Sequence, residues 1–309
     1  MPYTGLVTSL TPRMRPYSDA DLPRLSQTFA AWIAEAGRCG YDHVGEVPHR
    51  IYENLRGRPV GELVQLWEYG DEIVGLAINL RFGAAFDVFT APALRGTAAE
   101  VEMLRTAAET TGRAMAVDEP YVLTDVFDCD TTRIRLLSEL GFTRFRTWDD
   151  VTVRELAGPV DAPVAPEGFL VRTARPADAD QLARARNSAF DADWTAELYR
   201  SAVMTGPGYS PDREVVAEAP DGRIAAFAVY WLDGRNRVGH FEPVGTHRDF
   251  HRRGLARAVM LTAMRRMAAA GMATVTVNYN ADNLPAQRLY AGLGFRREHQ
   301  TYGFRRPRP

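Results

Sequence analysis

Cysteine is nearly absent from this sequence, which contains only Cys39 and Cys129 among 309 residues. The two residues are far apart in the chain, and neither belongs to a Cys-x-x-Cys pair. Disulfide-rich secreted domains and structural zinc sites both need more cysteines than this. We therefore expect neither a disulfide framework nor a metal site, and this cysteine usage favours a reducing, cytoplasmic location.

Long apolar runs and a large excess of one charge are also missing. No stretch approaches the roughly 18 consecutive apolar residues that span a bilayer, and the first residues lack the basic and apolar regions of a signal peptide. The net charge is only -2 at pH 7, so we expect neither a nucleic-acid nor a membrane partner. With 46% hydrophobic and 25% charged residues, the chain is typical of a globular protein of one to three domains.

A proline-rich segment divides the sequence into two parts of similar length. Three prolines lie between Gly158 and Gly168, where they exclude a regular helix or a central strand. We predict an N-terminal domain of residues 1–157, a linker of residues 158–167 and a C-terminal domain of residues 168–309. Both domains then have an ordinary size.

The two halves also resemble each other, since three segments recur in the same order. MRPYSDADLPRL from Met14 matches VRTARPADADQLARA from Val171, and GDEIVGLAINL from Gly70 matches DGRIAAFAVYW from Asp221. Towards the ends, LLSELGFTRF matches LYAGLGFRRE. Strands and helices are mixed in each half, which predicts two tandem α/β (α+β) domains, each with a mixed, mostly antiparallel sheet flanked by helices.

A short basic turn, HRRGLA at residues 251–256, follows a predicted strand at residues 238–246 and leads into a helix. The first N–H groups of a helix lack intrahelical acceptors, and the helix dipole makes that end electropositive. A phosphate could bind there because two residues of the turn are small and the arginines add charge, namely Gly254, Ala256, Arg252, Arg253 and Arg257. By itself the turn is also compatible with an ordinary solvated helix start, where glycine and arginine are common.

The turn and the later NLPAQRLYAGLGF, starting at Asn283, together resemble the GNAT superfamily of acetyl-CoA-dependent acetyltransferases. That family has a [Q/R]-x-x-G-x-[G/A] turn after its fourth strand, then a helix, a strand and an N-x-x-A-x-x-x-Y-x-x-x-G-F-like element. The likeness covers residues 169–306. It implies acetyl-CoA as cosubstrate, with no metal, bound at the positions that match: Val244, Gly245, Thr246, His251, Arg252, Arg253, Gly254, Leu255, Ala256, Arg257 and Asn283.

The resemblance further implies transfer of an acetyl group to the amine of a small molecule or peptide, by direct attack on the thioester. Such an attack needs a neutral amine and hence a base near the fourth strand. Residues two apart on a strand share a face, which groups Glu242 and His240; we expect Glu242 to be the base and His240 the alternative. Tyr290 matches the family's usual acid. Because a phenol is a weaker acid than a thiol, we expect Tyr290 to donate a hydrogen bond to the sulfur. Glu242 and His240 could instead be structurally paired residues of the strand, and Tyr290 could be an aromatic residue of the core.

Two parts of the proposed site are less well defined. His251 stands where the family usually has glutamine or arginine, and since histidine titrates near pH 6.5, we expect cofactor affinity to rise as pH falls through that region. The acceptor pocket is expected near the first two helices and a neighbouring strand of the C-terminal half. These offer side chains that are equally compatible with a pocket wall and with the core: Asn187, Trp194, Tyr199 and Trp231.

In the N-terminal half, the corresponding turn is LRGTAAE, which ends at Glu100. Ala98 replaces a glycine of the family pattern, and the carboxylate of Glu100 would repel a pyrophosphate. At the second motif, Asp130 stands opposite Asn283 and a leucine takes the place of the tyrosine. We therefore expect this half to keep the fold, to have lost the cofactor site, to pack against the catalytic half and to shape the acceptor pocket.

Several alternatives remain open from the sequence. Tandem organisation with one weakened half also resembles mycothiol synthases, although no motif identifies their acceptor here. A non-catalytic acyl-CoA-binding regulatory protein is the alternative from another class, since fold alone does not establish activity. Glu242 and Tyr290 favour chemistry. Two similar domains in one chain are compatible with either a monomer or a homodimer.

Overall fold

The computed structural model describes residues 11–308, and its strands form a single twelve-stranded sheet. In chain order the strands are β1 (Arg13–Pro16), β2 (Val64–Tyr69), β3 (Glu72–Arg81), β4 (Ala85–Thr90), β5 (Tyr121–Phe127), β6 (Thr143–Glu155), β7 (Leu170–Thr173), β8 (Glu214–Glu218), β9 (Ile224–Asp233), β10 (Val238–Thr246), β11 (Thr274–Asn280) and β12 (Arg296–Pro307).

The α-helices are α1 (Leu22–Ala36), α2 (Glu46–Pro48), α3 (Val60–Leu63), α4 (Ala98–Ala114), α5 (Thr131–Glu139), α6 (Ala179–Phe190), α7 (Ala196–Tyr199), α8 (Leu255–Ala269) and α9 (Leu284–Gly292). Two of them, α2 and α7, continue directly into π-helical segments, His49–Asn54 and Arg200–Met204. The predicted strand at residues 238–246 and the helix that follows the basic turn are both confirmed.

The prediction that the chain starts without a signal peptide falls mainly on residues 1–10, which lie outside the described residues. Within residues 11–308, no helix combines the length and the apolar composition needed to cross a lipid bilayer.

The two halves of the chain exchange their last strands. The sheet order is β1-β2-β3-β4-β5-β12-β6-β11-β10-β9-β8-β7. Strand β12 of the C-terminal half therefore lies between β5 and β6, and β6 of the N-terminal half lies between β12 and β11. Neighbouring strands are antiparallel except for the pairs β4/β5 and β10/β11. The predicted fold class is confirmed, but the two expected sheets are joined into one.

This exchange bears on the predicted domain limits. The proline-rich segment at residues 158–167 contains no helix or strand and lies between β6 and β7. A cut there separates β6 from its neighbours β11 and β12, and it separates β5 from β12, one of its two neighbours. The domain limits remain a prediction from the sequence, because neither half contains its own complete sheet.

Matching side-chain contacts in the two halves support the internal repeat. Arg15 on β1 binds Asp21 before α1 at 2.7 Å and Glu68 on β2 at 2.8 Å. The C-terminal half repeats this arrangement at 2.6 Å for both contacts, using Arg172, Asp178 and Glu218.

The second repeated motif is also confirmed. Asp130 caps α5 by accepting a hydrogen bond from the amide of Arg133 at 3.0 Å, and Asn283 caps α9 by accepting one from the amide of Ala286 at 3.1 Å. A helix commonly begins at a residue whose side chain accepts a hydrogen bond from the amide three residues later. The same backbone geometry is therefore built twice.

The sheet of the C-terminal half is covered on both faces. On one face lies α8, whose apolar residues recur every four positions and are all buried: Leu255, Val259, Ala263 and Met267. On the other face α6 and α7 pack against Phe227 of β9. Burying both faces in this way fixes β10, the strand that carries the candidate base.

The two cysteines are joined by a single disulfide, a pairing that the sequence does not predict. Cys39 follows α1, Cys129 follows β5, and their sulfur atoms form a disulfide across 90 residues of sequence. The pair could not be recognised from spacing, because the fold alone brings the loop after α1 to the end of β5. A single bridge is still far from a disulfide framework.

Candidate active site

Strands β10 and β11 separate part-way along their length. They pair in parallel from Val238 to Phe241 on β10 and from Thr274 to Val277 on β11, whereas β10 continues to Thr246. Its pairing with β9 is interrupted between Phe241 and Val244. Beyond Phe241 the edge of β10 that faces β11 has no strand partner among the described residues, so an extended ligand could pair with it.

The predicted turn begins α8 at the open end of this gap. Arg252 and Gly254 adopt left-handed backbone conformations, with φ of 60° and 78°. A β-carbon on Gly254 would meet nothing within 4 Å, so the glycine is needed for its conformation rather than for space. Because α8 begins at Leu255, the amides of its first turn lack intrahelical acceptors.

The three arginine side chains that were expected to add charge around a pyrophosphate differ in their contacts. Arg252 is exposed and forms no ion pair within residues 11–308, and Arg253 lies over the Phe250 ring at 5.4 Å. Arg257 instead binds Asp161 at 2.9 Å and the carbonyl of Gly292 at 2.8 Å. These two contacts neutralise part of the Arg257 charge within the protein.

His251 has a structural contact that the family pattern does not suggest. Its Nε2 lies 3.1 Å from the carbonyl oxygen of Thr246, which places an imidazole N–H as the donor. The side chain thereby ties the turn to the end of β10. A histidine can serve this purpose whatever its effect on cofactor binding.

Two further predicted cofactor residues have clear local roles. A β-carbon on Gly245 would lie 2.4 Å from Cζ of Phe227, so β10 passes too close to that ring for any other residue. Val244 and Thr246 flank it on the strand. The side-chain oxygen of Asn283 accepts the hydrogen bond that caps α9. This contact gives Asn283 a structural role as a helix N-cap.

Glu242 and Tyr290 lie next to the gap between β10 and β11. The Tyr290 ring is 6% exposed and packs 5.3 Å from Tyr279 and 5.9 Å from Phe295. Burial raises the pKa of its hydroxyl above the ordinary value, and the nearby charge of Glu242 adds to this. Tyr290 therefore keeps its hydroxyl hydrogen throughout the neutral range.

The N-terminal half supplies residues that contact β10 directly. We call residues 42–54 the bridging segment. Glu46 lies 2.7 Å from Nε2 of His240, and Nε2 of His49 lies 3.2 Å from Glu242. Gly45 passes so close to Trp231 that a β-carbon would lie 2.2 Å from the indole.

The surroundings of His240 do not support it as the alternative base. Its ring is 1% exposed, with Nε2 on Glu46 and Nδ1 on the Thr276 hydroxyl, both at 2.7 Å. It also stacks on His43 at 5.1 Å between ring centres. Because both ring nitrogens are occupied, an amine has no nitrogen to reach; Glu242, with 26% of its side chain exposed, remains accessible.

A buried arginine organises the other end of the bridging segment. Arg50 binds Asp42 at 2.8 Å, Glu46 at 2.9 Å and Asp87 at 2.9 Å. Burial favours the neutral form of Glu46, but Arg50 and His240 hold the pKa of this carboxyl well below its ordinary value. Glu46 is therefore a fixed negative charge beside Glu242.

His49 and Glu242 affect each other's protonation. Burial lowers the pKa of His49, but the charges of Glu53 and Glu242 outweigh it and raise the value to about 9. Burial raises the pKa of Glu242 to about 8 against the opposing influence of His49. Glu46 and Glu53 add to that rise. A carboxylate that titrates near neutral pH is well matched to a general base.

The predicted acceptor-pocket residues are mostly engaged within the protein. The Asn187 amide both accepts from and donates to the backbone of Trp194, at 2.7 and 2.8 Å, and Arg56 covers the Trp194 ring at 4.8 Å. Tyr199 is fully buried and donates its hydroxyl hydrogen to Glu214 at 2.8 Å. Tyr199 is thus a core residue and not part of a pocket wall.

Trp231 is the exception among those four residues. Its indole N–H donates to the carbonyl of Glu242 at 2.8 Å, and its side chain remains partly exposed. Arg213 lies 5.2 Å from its ring centre. Trp231 is therefore the one predicted pocket residue that the structure places beside the candidate base.

The bridging segment was not identified from the sequence, although a signal was present. In EVPHRIYE the titratable residues recur at spacings of three and four, at Glu46, His49, Arg50 and Glu53. This spacing places them on neighbouring positions of a helical surface. The pattern predicts a charged helix face, but only the fold shows that the face is buried against the other half.

The turn of the N-terminal half binds one of its own carboxylates. Glu100 is 1% exposed, accepts a hydrogen bond from the Gly96 amide, and pairs with Arg133. The carboxylate therefore lies at the helix start where an anion would bind. This supports the expectation that this half has lost its cofactor site.

Within residues 11–308, two clusters have the composition of a metal site. In the first, Glu46, His240 and Glu242 offer ligand atoms within 4.8 Å of one another, but Glu46 already binds Arg50 and His240. In the second, Asp128, Cys129 and His299 lie together, but Cys129 is in the disulfide. Hydrogen bonding accounts for the first cluster, and the second has no thiolate to offer.

Comparisons with known proteins agree with this geometry. Residues 179–295 match the model of the acetyltransferase (GNAT) family. A mycothiol acetyltransferase from Streptomyces bingchenggensis is 30% identical over 169 residues, and the chain spans about half the length of this relative: the match covers 52% of the chain and 54% of the relative. A mycothiol acetyltransferase from Thermobispora bispora is 26% identical over 257 residues, covering 78% of the chain and 82% of the relative.

Two solved structures share the whole architecture. A tandem GNAT protein from the clavulanic acid biosynthesis pathway aligns with a TM-score of 0.68 at 14% identity, covering 96% of this chain and 99% of that one. A GCN5-related N-acetyltransferase from Sphaerobacter thermophilus aligns with a TM-score of 0.64 at 23% identity, covering 97% and 96%. At these identities the likeness establishes the fold alone.

Proposed function

We propose that this chain, whose residues 179–295 form a domain of the acetyltransferase (GNAT) family, transfers an acetyl group from acetyl-CoA to an amine. The observation that carries the proposal is the position of Glu242 and Tyr290 beside the gap between β10 and β11, with the turn that starts α8 at the end of that gap. A mere binding protein has no need for a base and a hydrogen-bond donor there.

The residues around the gap fit the shape and charge of acetyl-CoA. The free edge of β10 at residues 244–246 suits the amide-containing pantetheine arm, which can pair like a strand. The first amides of α8, with Arg252 and Arg253 outside them, suit a pyrophosphate. When bound, acetyl-CoA supplies a thioester whose carbonyl carbon accepts the nucleophile.

Glu242 acts as the base in this proposal. An alkyl amine is mostly protonated at neutral pH and must lose a proton before it can attack. Glu242 is partly exposed and lies beside Trp231 and Tyr290, so an amine that enters the gap can reach its carboxylate. His240 and Thr276 stiffen the strands behind it.

Tyr290 acts as the donor to the leaving sulfur. Its hydroxyl hydrogen can stabilise negative charge as the carbon–sulfur bond breaks. Since burial keeps the phenol protonated, full transfer of its proton is disfavoured and a hydrogen bond is sufficient. The phenol lies within the apolar cluster formed with Tyr279 and Phe295, which fixes its direction.

A mycothiol-type acceptor is the candidate substrate that the relatives favour. The Thermobispora protein, which matches most of the chain, is named a mycothiol acetyltransferase. The cytoplasmic location expected from the sequence is compatible with such a substrate and stays a prediction.

Acetyl-CoA titration by calorimetry, followed by a panel of amines assayed for release of free thiol, tests the proposal. The panel contains small amines, peptide N-termini and the cysteinyl acceptor of mycothiol synthesis. We expect micromolar binding and turnover of at least one amine. Binding without turnover of any amine would favour a regulatory acyl-CoA sensor, and failure to bind acetyl-CoA would refute the assignment of the site.

A further inference from the structure

We propose that His49, a residue of the N-terminal half, favours the ionised, base-competent form of Glu242. The inference rests on the proposed function, because it gives the base of the C-terminal half a partner in the other half. It assigns His49 as a positioning residue, since the imidazole acts through Glu242. The half that has lost its cofactor site then remains necessary for catalysis.

The geometry places His49 between two carboxylates. Nε2 of His49 lies 3.2 Å from Oε1 of Glu242, and Nδ1 lies 3.3 Å from Oε2 of Glu53. The histidine side chain is only 8% exposed. An imidazolium carries a proton on each of these nitrogens, so one protonated ring can form an ion pair with both carboxylates.

Glu53 is itself fixed by the C-terminal half. It pairs with Arg186 of α6, a side chain that is 1% exposed, and Arg186 also binds Glu214 at 3.3 Å. The bridging segment thus contacts the C-terminal half at Glu242 and again at Arg186. Because both ends are anchored, His49 cannot move away from Glu242 without breaking a buried ion pair.

The other charged groups around Glu242 act against its ionisation. Glu46, Glu53 and Asp149 all place negative charge nearby, and burial acts in the same direction. His49 is the group that opposes them. Without a positive charge at this position, Glu242 would remain a neutral acid up to a higher pH and would accept a proton from an amine less readily.

The side-chain amide of Asn54 must present its oxygen atom to a protonated His49 ring. The side-chain amide of Asn54 lies 3.1 Å from Nε2, and a protonated ring needs an acceptor there. The two ends of an amide have nearly the same shape, so the Asn54 oxygen can occupy this position. No other titratable group of the bridging segment touches the ring nitrogens.

The first experiment measures kcat/KM against pH for His49→Gln, with His299→Gln as the matched control. His299 also pairs with a carboxylate, Asp128 at 3.3 Å, but it does not contact Glu242. We expect the acid limb of the His49→Gln profile to move up by about one pH unit or more, with acetyl-CoA affinity within about twofold of wild type. The control should leave the profile unchanged.

A double-mutant cycle separates this role from a structural one. If His49 acts through Glu242, then His49→Gln should change kcat/KM by less than about twofold in a Glu242→Gln background. An equal fall at every pH and in both backgrounds would overturn the proposal. Such a result would show that His49 only supports the fold.

The second experiment does not require turnover. Nitrogen-15 NMR of the histidine rings should show His49 titrating above its ordinary pKa of about 6.5, and Glu242→Gln should lower that value by about one unit or more. A value at or below 6.5 that Glu242→Gln does not change would overturn the proposal. If instead the rings behave as expected and no amine is acetylated, the inference stands and the proposed function fails.

Discussion

The buried pair Glu53–Arg186 is expected to hold the two halves together, and Glu53→Gln tests this. Glu53 lies in the bridging segment and Arg186 on α6, where the guanidinium is 1% exposed. The substitution keeps the shape of the side chain and removes its charge. Arg186 is then left with Glu214 at 3.3 Å and with the faces of Tyr199 and Phe227 at 4.8 and 5.1 Å.

Two lines of reasoning give the same magnitude. Burial favours neutral Glu53, but Arg186 and His49 outweigh it and lower its pKa to about 2, roughly 2.5 units below an ordinary glutamate, which corresponds to about 3 kcal/mol. Removing one partner of a buried ion pair costs about 3–5 kcal/mol. We therefore expect Glu53→Gln to lower the free energy of unfolding by about 3 kcal/mol at pH 7.

The sign of the pH dependence follows from the lowered pKa. The stabilisation is fully present above the ordinary pKa of about 4.5 and is lost as pH falls towards 2. Urea unfolding followed by circular dichroism at pH 7, 4 and 3 should therefore show a difference between wild type and variant that shrinks with acid.

A matched control exists in an exposed contact between the same two halves. Arg56 pairs with Asp193, whose side chain is 86% exposed, so Asp193→Asn should cost less than about 1 kcal/mol. If Glu53→Gln is as mild as Asp193→Asn, or if its effect does not depend on pH, burial of the pair does not contribute to stability as argued.

The other predictions concern the candidate site. Tyr290→Phe should lower kcat by about 100-fold and leave the Kd of acetyl-CoA within about twofold; an unchanged rate would remove Tyr290 from the mechanism. Gly245→Ala should destabilise the protein by about 1–3 kcal/mol, since its β-carbon would lie 2.4 Å from a buried ring, whereas Gly234→Ala, with open space around it, should have little effect in the same unfolding assay. With an acceptor amine that stays neutral throughout, kcat/KM should rise with pH up to about 8 as Glu242 ionises; a flat profile would exclude it as the base.

Local features of the fold were predictable because their causes are local. The strand at residues 238–246 was predicted as the element that precedes the basic turn, and α8 from the four-residue recurrence that starts at Leu255. The helix caps at Asp130 and Asn283 are local too, because each side chain accepts a hydrogen bond from the amide three residues later. Each depends on residues within one or two turns of each other in sequence.

The contacts between the halves were not predictable in the same way. Glu46 on His240 and His49 on Glu242 join residues almost two hundred positions apart, and no pattern in either segment refers to the other. The Cys39–Cys129 disulfide could not be predicted from the sequence for the same reason. The motifs therefore identified Glu242 as a candidate base, but the charges that set its protonation became visible only when the halves were placed together.

The exchange of β6 and β12 has a consequence for how the protein is made. During synthesis the N-terminal half leaves the ribosome first and would normally fold first. Here one edge of β5 stays unpaired until β12 has been synthesised, near the end of the chain. Until then β5 is an open edge that other chains could pair with. Nascent chains stalled before residue 296 should therefore be prone to aggregate, and chains released after β12 should not.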